Sequence, residues 1–183
     1  IAIVPIIAWI GLSPNIILNK MHGSYSEYII YQSVMFGGFI LSNLFVQKIS
    51  GKVSFQKIIK TGGIISLVGA SFAAIFHMYG VLFISGMFVY AFGFGLCNGV
   101  IIRISLTSTG QSSSLSSSAF SVINCIYLAT ALEIYNIVCG WFDYSLVSYA
   151  LFTAFFSTIF YLCTVKFASM NKDLKWNQAA KIN

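Results

Sequence analysis

Long apolar runs separated by short polar segments set the pattern of this chain. A run of about 20 apolar residues is long enough to cross the hydrocarbon core of a bilayer as one helix. Six such spans are predicted, over about 1–18, 28–46, 58–76, 81–104, 115–140 and 146–167, followed by a polar tail over 168–183. The fourth is the clearest. Its 22 residues from Val81 to Ile102 carry no charge, and Arg103 ends the run. In the first, Pro14 predicts a kink that a helix bundle tolerates, with Ser13 and Asn15 beside it to satisfy the freed carbonyls.

Small residues recur inside the spans. Gly86, Gly93, Gly95 and Gly99 lie in the fourth, and Gly62, Ser66, Gly69 or Ala70, and Ala73 form a seam in the third. Such residues let neighbouring helices come close. On the second span Gln32, Phe36, Phe39 and Asn43 share one polar and aromatic face, with Gly37 and Gly38 as a close-packing point. The serine-rich run Ser112 to Ser121 reads as the cap and first turns of the fifth span. These patterns predict an all-α integral membrane bundle.

Composition agrees. The chain is 58% hydrophobic and 8% charged, where a soluble domain carries about 25% charged residues. The net charge of +6 could suit nucleic acid, but the lysines sit between apolar runs rather than in a basic stripe, so no nucleic-acid partner is expected. Topology explains them. With the loop after the second span on the cytoplasmic side, only Lys20 of the ten Lys and Arg residues faces outward. That places both ends of the chain in the cytoplasm. The opening run has no basic n-region and no small-residue cleavage site, so it is not a signal peptide. It begins inside a span and without Met, which reads as a fragment or processed half of something longer.

Candidate chemistry is sparse. Cys97, Cys125, Cys139 and Cys163 fall within apolar runs without a CxxC pair and read as small core residues. His22 and His77 lie far apart at span ends, so no metal or cofactor is expected. There is no GxSxG, and no His, Cys and acid constellation lies within the spans, so no enzyme is expected. Glu133 is the one acid placed inside a span, about seven residues or roughly 10 Å from its outer end. It could carry a proton, pair with a cationic substrate, reach an outer water-filled cleft, or bond a neighbouring helix. Arg103 could snorkel to the headgroups or serve an inner gate. Gln32, Asn98 and Asn124 are either interhelical glue or cavity lining. Phe36, Phe39, Tyr90 and Phe94 pack or bind.

The segments themselves narrow the field. AWIGLSPNIIL (Ala8 to Leu18) resembles the seventh helix of bacterial drug/proton antiporters of the major facilitator superfamily, with its Ser-Pro kink. SYSEYIIYQSVMFGGFILSN (Ser24 to Asn43) resembles the eighth. YAFGFGLCNGVIIRISL (Tyr90 to Leu106) is similar to the tenth, and ALEI (Ala131 to Ile134) to part of the eleventh. The resemblance runs in order up to about Lys166. It implies a six-helix half of a twelve-helix fold, in which two halves face a central cavity. It further implies a multi-pass protein of the bacterial inner membrane, surrounded by lipid and completed by an N-terminal six-helix half. Such proteins exchange protons for small lipophilic substrates. By position, Ile6, Ile7, Ile10, Gln32, Phe36 and Asn124 would face the drug cavity, Asn98 is counted with them as substrate-binding, and Arg103 and Glu133 match charged positions. The family's main proton-titrating acids and its antiporter glycine motif belong to the other half, so the chain alone is not expected to transport. Two other readings stay open. One keeps the fold and exports a siderophore or metabolite. The other is a complete six-helix membrane protein acting as a homodimer or structural partner.

Overall fold

A computed structural model describes residues 3–49, 52–107 and 113–170. The loop over 108–112 and the tail with Lys172, Lys175 and Lys181 lie outside the described residues. The described chain is a bundle of six α-helices. They are α1 (Val4–Pro14), α2 (Tyr25–Ile49), α3 (Phe55–Ile75), α4 (Gly80–Thr107), α5 (Ser113–Trp141) and α6 (Leu146–Met170). Helices α2 to α6 are each long and apolar enough to cross a membrane.

The first helix departs from the simple kink that Pro14 predicts. After Pro14 the backbone widens into a π-helical stretch, Asn15–Lys20, in which the Met21 N–H donates to the Ile16 carbonyl at 2.9 Å. Proline removes an N–H and crowds the preceding turn, and a wider turn is one way to absorb both. Ser13 and Asn15 turn to side chains rather than to freed carbonyls. Ser13 Oγ accepts from Gln32 Nε2 at 2.8 Å, and Asn15 Oδ1 accepts from Asn19 Nδ2 at 3.0 Å. Trp9, Ile16 and Ile17 are fully buried, so this segment is enclosed by its neighbours.

Most helices run past the ends that hydropathy predicts. Apolarity marks the stretch in hydrocarbon, whereas the backbone ladder continues into the polar flanks until something caps it. At α2 the cap is reciprocal. The Ser24 N–H donates to Glu27 Oε2 at 2.7 Å, and the Glu27 N–H donates to Ser24 Oγ at 3.2 Å. This is a capping box, and it brings Tyr25 to Glu27 into the helix.

The centre of the bundle is the α3–α4 pair, with α2 on α4 and α6 on α3. Glycine sets its closeness. A Cβ on Gly62 would sit 2.7 Å from the Gly93 carbonyl oxygen, and one on Gly86 would sit 2.6 Å from the Ala73 nitrogen. Ser66 Oγ donates to the Tyr90 carbonyl at 3.2 Å across the same seam. Two apolar clusters flank it. The larger includes Trp9, Met35, Phe83, Tyr90 and Tyr149. The smaller gathers Phe55, Ile58, Ile59, Leu96 and Val100, near the end that carries Lys48, Lys52, Lys57, Lys60 and Arg103. Helix α5 stands apart and packs mainly on α1, with a lighter contact on α4. One expectation is corrected here. Cys97 and Cys139 are buried, but Cys125 and Cys163 are exposed on α5 and α6. Apolarity in a membrane helix does not separate an inward face from a lipid-facing one, because lipid is as apolar as a core.

Candidate functional site: an amide-lined crevice between α4 and α5

The loose seating of α5 leaves a crevice of ≈ 220 Å³ between it and α4. Asn98 reaches it from α4 and Asn124 from α5. Both amides are half-buried. Phe94, Phe120, Tyr127 and Phe160 supply ring walls, and Ile3, Ile101 and Ile102 the aliphatic remainder. Among the described residues no charged side chain lines it. Asn98 is near the middle of the long α4, displaced toward its basic end, and Asn124 is at matching depth on α5.

Phe94 is the most firmly held wall. It stacks on Phe39 of α2 with ring centroids 5.8 Å apart and meets the edge of Phe160 of α6 at 6.3 Å. Three helices therefore fix one ring. A site gains precision when its lining is locked by packing in this way.

A larger crevice of ≈ 330 Å³ lies at the opposite end of the bundle. It is built from α6 and the turn before it, with Val147, Leu151 and Phe155 all exposed. It joins no residues from separate spans and holds none of the sequence-predicted site residues, so the smaller crevice is the candidate.

The predicted residues separate into groups. Asn98 and Asn124 come together in the crevice. Gln32 does not join them; its amide donates to Ser13 Oγ and ties α2 to α1. Its Oε1 is buried without a partner. Ile6 is buried in the main cluster, Ile7 and Phe36 are half-buried, and Ile10 is exposed. Arg103 is exposed one residue beyond Ile102. Glu133 is exposed on α5 rather than enclosed by this bundle. Among the described residues no group of His, Cys, Asp and Glu could hold a metal ion.

Helical spacing would have found most of the walls. Phe94, Ile101 and Ile102 stand at i−4, i+3 and i+4 from Asn98, and Phe120 and Tyr127 at i−4 and i+3 from Asn124. Phe160 carries no such signal, because α6 meets the crevice only through tertiary packing.

Comparison with known proteins places this geometry in context. No family model matches the chain. A protein of Yersinia pestis called multidrug transporter MdfA is 31% identical over 146 residues, covering 78% of this chain and 36% of that protein. The proteins of that name from Shigella boydii and Edwardsiella ictaluri are 30% and 31% identical, over 71% and 73% of this chain and 33% of each relative. The chain spans about a third of the length of the curated relatives it matches.

Proposed function

Because the chain is a homologue of part of the MdfA multidrug transporters and folds as an all-α, six-helix half of the major facilitator superfamily type, we propose that it is the C-terminal half of a proton-coupled exporter of lipophilic drugs or toxic compounds. It works by alternating access against an N-terminal six-helix half. The observation that carries this reading is the 31% identity running through 78% of the chain. The uncharged crevice with two amides and aromatic walls supports the lipophilic class of cargo.

The N-terminal half packs where this bundle is open. α2 and α5 are the least buried of the spans. α5 also presents Glu133 outward, and a carboxylate in a span belongs against protein or a water-filled cavity rather than lipid. By the resemblance of its segments, the family's main proton-titrating acids fall in the other half, so the chain without its partner half is not expected to transport. The protein lies in the bacterial inner membrane with the basic end of the bundle in the cytoplasm.

The test is reconstitution. The product of the native gene, with whatever sequence flanks this chain, is placed in vesicles and loaded with a lipophilic dye. Efflux that rises with an imposed proton gradient is expected. Efflux indifferent to the gradient removes the coupling, and none at all removes the export.

A further inference from the structure

The larger crevice, at the end opposite the basic loop, has a chemistry of its own. Val147, Leu151 and Phe155 stand at i, i+4 and i+8 on α6, so they form one stripe about 12 Å long. That is most of the depth of one leaflet, since the hydrocarbon core of a bilayer is about 30 Å thick. All three are exposed, on a helix long and apolar enough to span the membrane. The floor beside them is fixed. Phe152 packs on Tyr135 with ring centroids 5.7 Å apart, and Phe155 meets the edge of Phe156 at 5.8 Å. The two serines of the lining are already bonded: Ser145 Oγ donates to Ser148 Oγ at 3.2 Å, and Ser148 Oγ donates to the Ser145 carbonyl at 2.7 Å. The ≈ 330 Å³ crevice therefore shows a rigid, apolar wall to whatever lies along it.

In a bilayer such a wall gives position but little affinity, because lipid tails are as apolar as the wall. Selectivity comes from the mouth. Asp143 follows the lining residue Phe142 in the chain, and its Oδ1 lies 2.6 Å from Lys20 Nζ. An ammonium carries three donors and a carboxylate two oxygens, so each partner keeps open capacity after pairing. The apolar stripe thus ends at a cation and an anion side by side, both wet. We propose that this crevice binds a diacyl phospholipid with a zwitterionic headgroup that carries a primary ammonium, the phosphatidylethanolamine class. One acyl chain lies along Val147, Leu151 and Phe155. The phosphate accepts from Lys20 Nζ, and the headgroup ammonium donates to the Asp143 carboxylate, both as charge-assisted hydrogen bonds. A trimethylated choline headgroup has the same net charge but no N–H to donate. A glycerol headgroup has the phosphate without the ammonium. The site needs a membrane around the bundle and is independent of what is exported.

The native gene product is purified in detergent and titrated with phosphatidylethanolamine, phosphatidylcholine or phosphatidylglycerol of identical acyl chains. Bound lipid is counted by native mass spectrometry. One phosphatidylethanolamine is expected to be held about ten-fold more tightly than either of the others, the worth of one hydrogen bond to a charged group. Asp143→Asn is expected to erase the preference over phosphatidylcholine while leaving phosphatidylcholine itself as it was. Leu151→Trp fills the crevice from an exposed position and is expected to weaken phosphatidylethanolamine several-fold without loss of the monodisperse protein on size exclusion. The site is overturned if phosphatidylcholine or phosphatidylglycerol is held as tightly as phosphatidylethanolamine, which describes an unselective lipid annulus. It is equally overturned if the preference survives Asp143→Asn, or if Leu151→Trp changes nothing, which would mean that protein rather than lipid covers the crevice. Lipid binding is read rather than efflux, so none of these outcomes bears on the export reading.

Discussion

Lys20 Nζ lies 2.6 Å from Asp143 Oδ1. The pair closes the end of the bundle opposite the basic loop and ties the π-helical end of α1 to the turn between α5 and α6. It is wet, with the two side chains 39% and 85% exposed, and such pairs contribute about 0.2–1 kcal/mol. Asp143 also sits at φ 56°, a conformation glycine accepts without steric cost. Asp143→Asn is therefore expected to lower stability slightly, and less so in high salt. Asp143→Gly is expected to recover much of that loss through backbone relief. Thermal unfolding in nanodiscs at two salt concentrations checks both. A large, salt-independent loss for the Asn variant would mean the turn depends on more than this pair.

The α3–α4 seam makes a sharper prediction. A side chain at Gly93 or Gly86 must push backbone, because the nearest atoms are those of Gly62, Ser66 and Ala73. Overpacking of this kind costs about 1–3 kcal/mol or more. Gly93→Val and Gly86→Val are expected to lose most folded protein after mild heating. Gly37 meets nothing within 4 Å. Gly37→Ala is expected to be neutral or to gain up to about 1 kcal/mol from helix propensity. Size-exclusion recovery after a heat challenge separates the two classes, and equal recovery would show that the seam yields.

Gln32 tests whether an intramembrane amide is glue or lining. Its Nε2 donates to Ser13 Oγ at 2.8 Å, while its Oε1 is buried and unpartnered. Interhelical hydrogen bonds in membranes contribute about 0.6 kcal/mol on average. Removing the whole amide also removes the unpaired oxygen. Gln32→Leu is expected to leave stability within about 1 kcal/mol of wild type, with a small coupling to Ser13→Ala in a double-mutant cycle. If the variant, at that stability, loses binding of a lipophilic cargo, Gln32 faces cargo and the glue assignment fails.

The fold was legible in the sequence because bilayer length is a physical limit that a single chain displays. The α3–α4 seam was legible too, since Gly62, Ser66 and Ala73 repeat at helical spacing. The π-helical Asn15–Lys20 was not, because a proline announces a disturbance and not its form. The capping box at Ser24 and Glu27 is written in the chain as an S-x-x-E pattern, but it lies before the apolar run over 28–46, and hydropathy alone starts the helix after it. Within the candidate site the two amides were visible one by one. That Asn98 and Asn124 share a crevice while Gln32 bonds Ser13 depends on helix rotation and pairing. A sequence without a partner to compare does not display those.

Glu133 gives the prediction that reaches furthest from the bundle. Its side chain is exposed on α5, about eight residues or 12 Å from the Trp141 end. An acid at the centre of a lipid-facing helix costs roughly 2.5–3.5 kcal/mol, so on the proposed export reading this face turns to the N-terminal half or to water. There the carboxylate is a natural partner for a cation and contributes nothing to a neutral amide. Glu133→Gln keeps the shape and removes the charge. In vesicles it is expected to reduce efflux of a lipophilic cation several-fold while leaving efflux of a neutral aromatic amide within about two-fold, the size of an ordinary surface effect. Equal loss of both would assign Glu133 to proton coupling. Loss of neither, together with a gain of stability in Glu133→Leu, would place this face of α5 against lipid and remove it from the interface between halves.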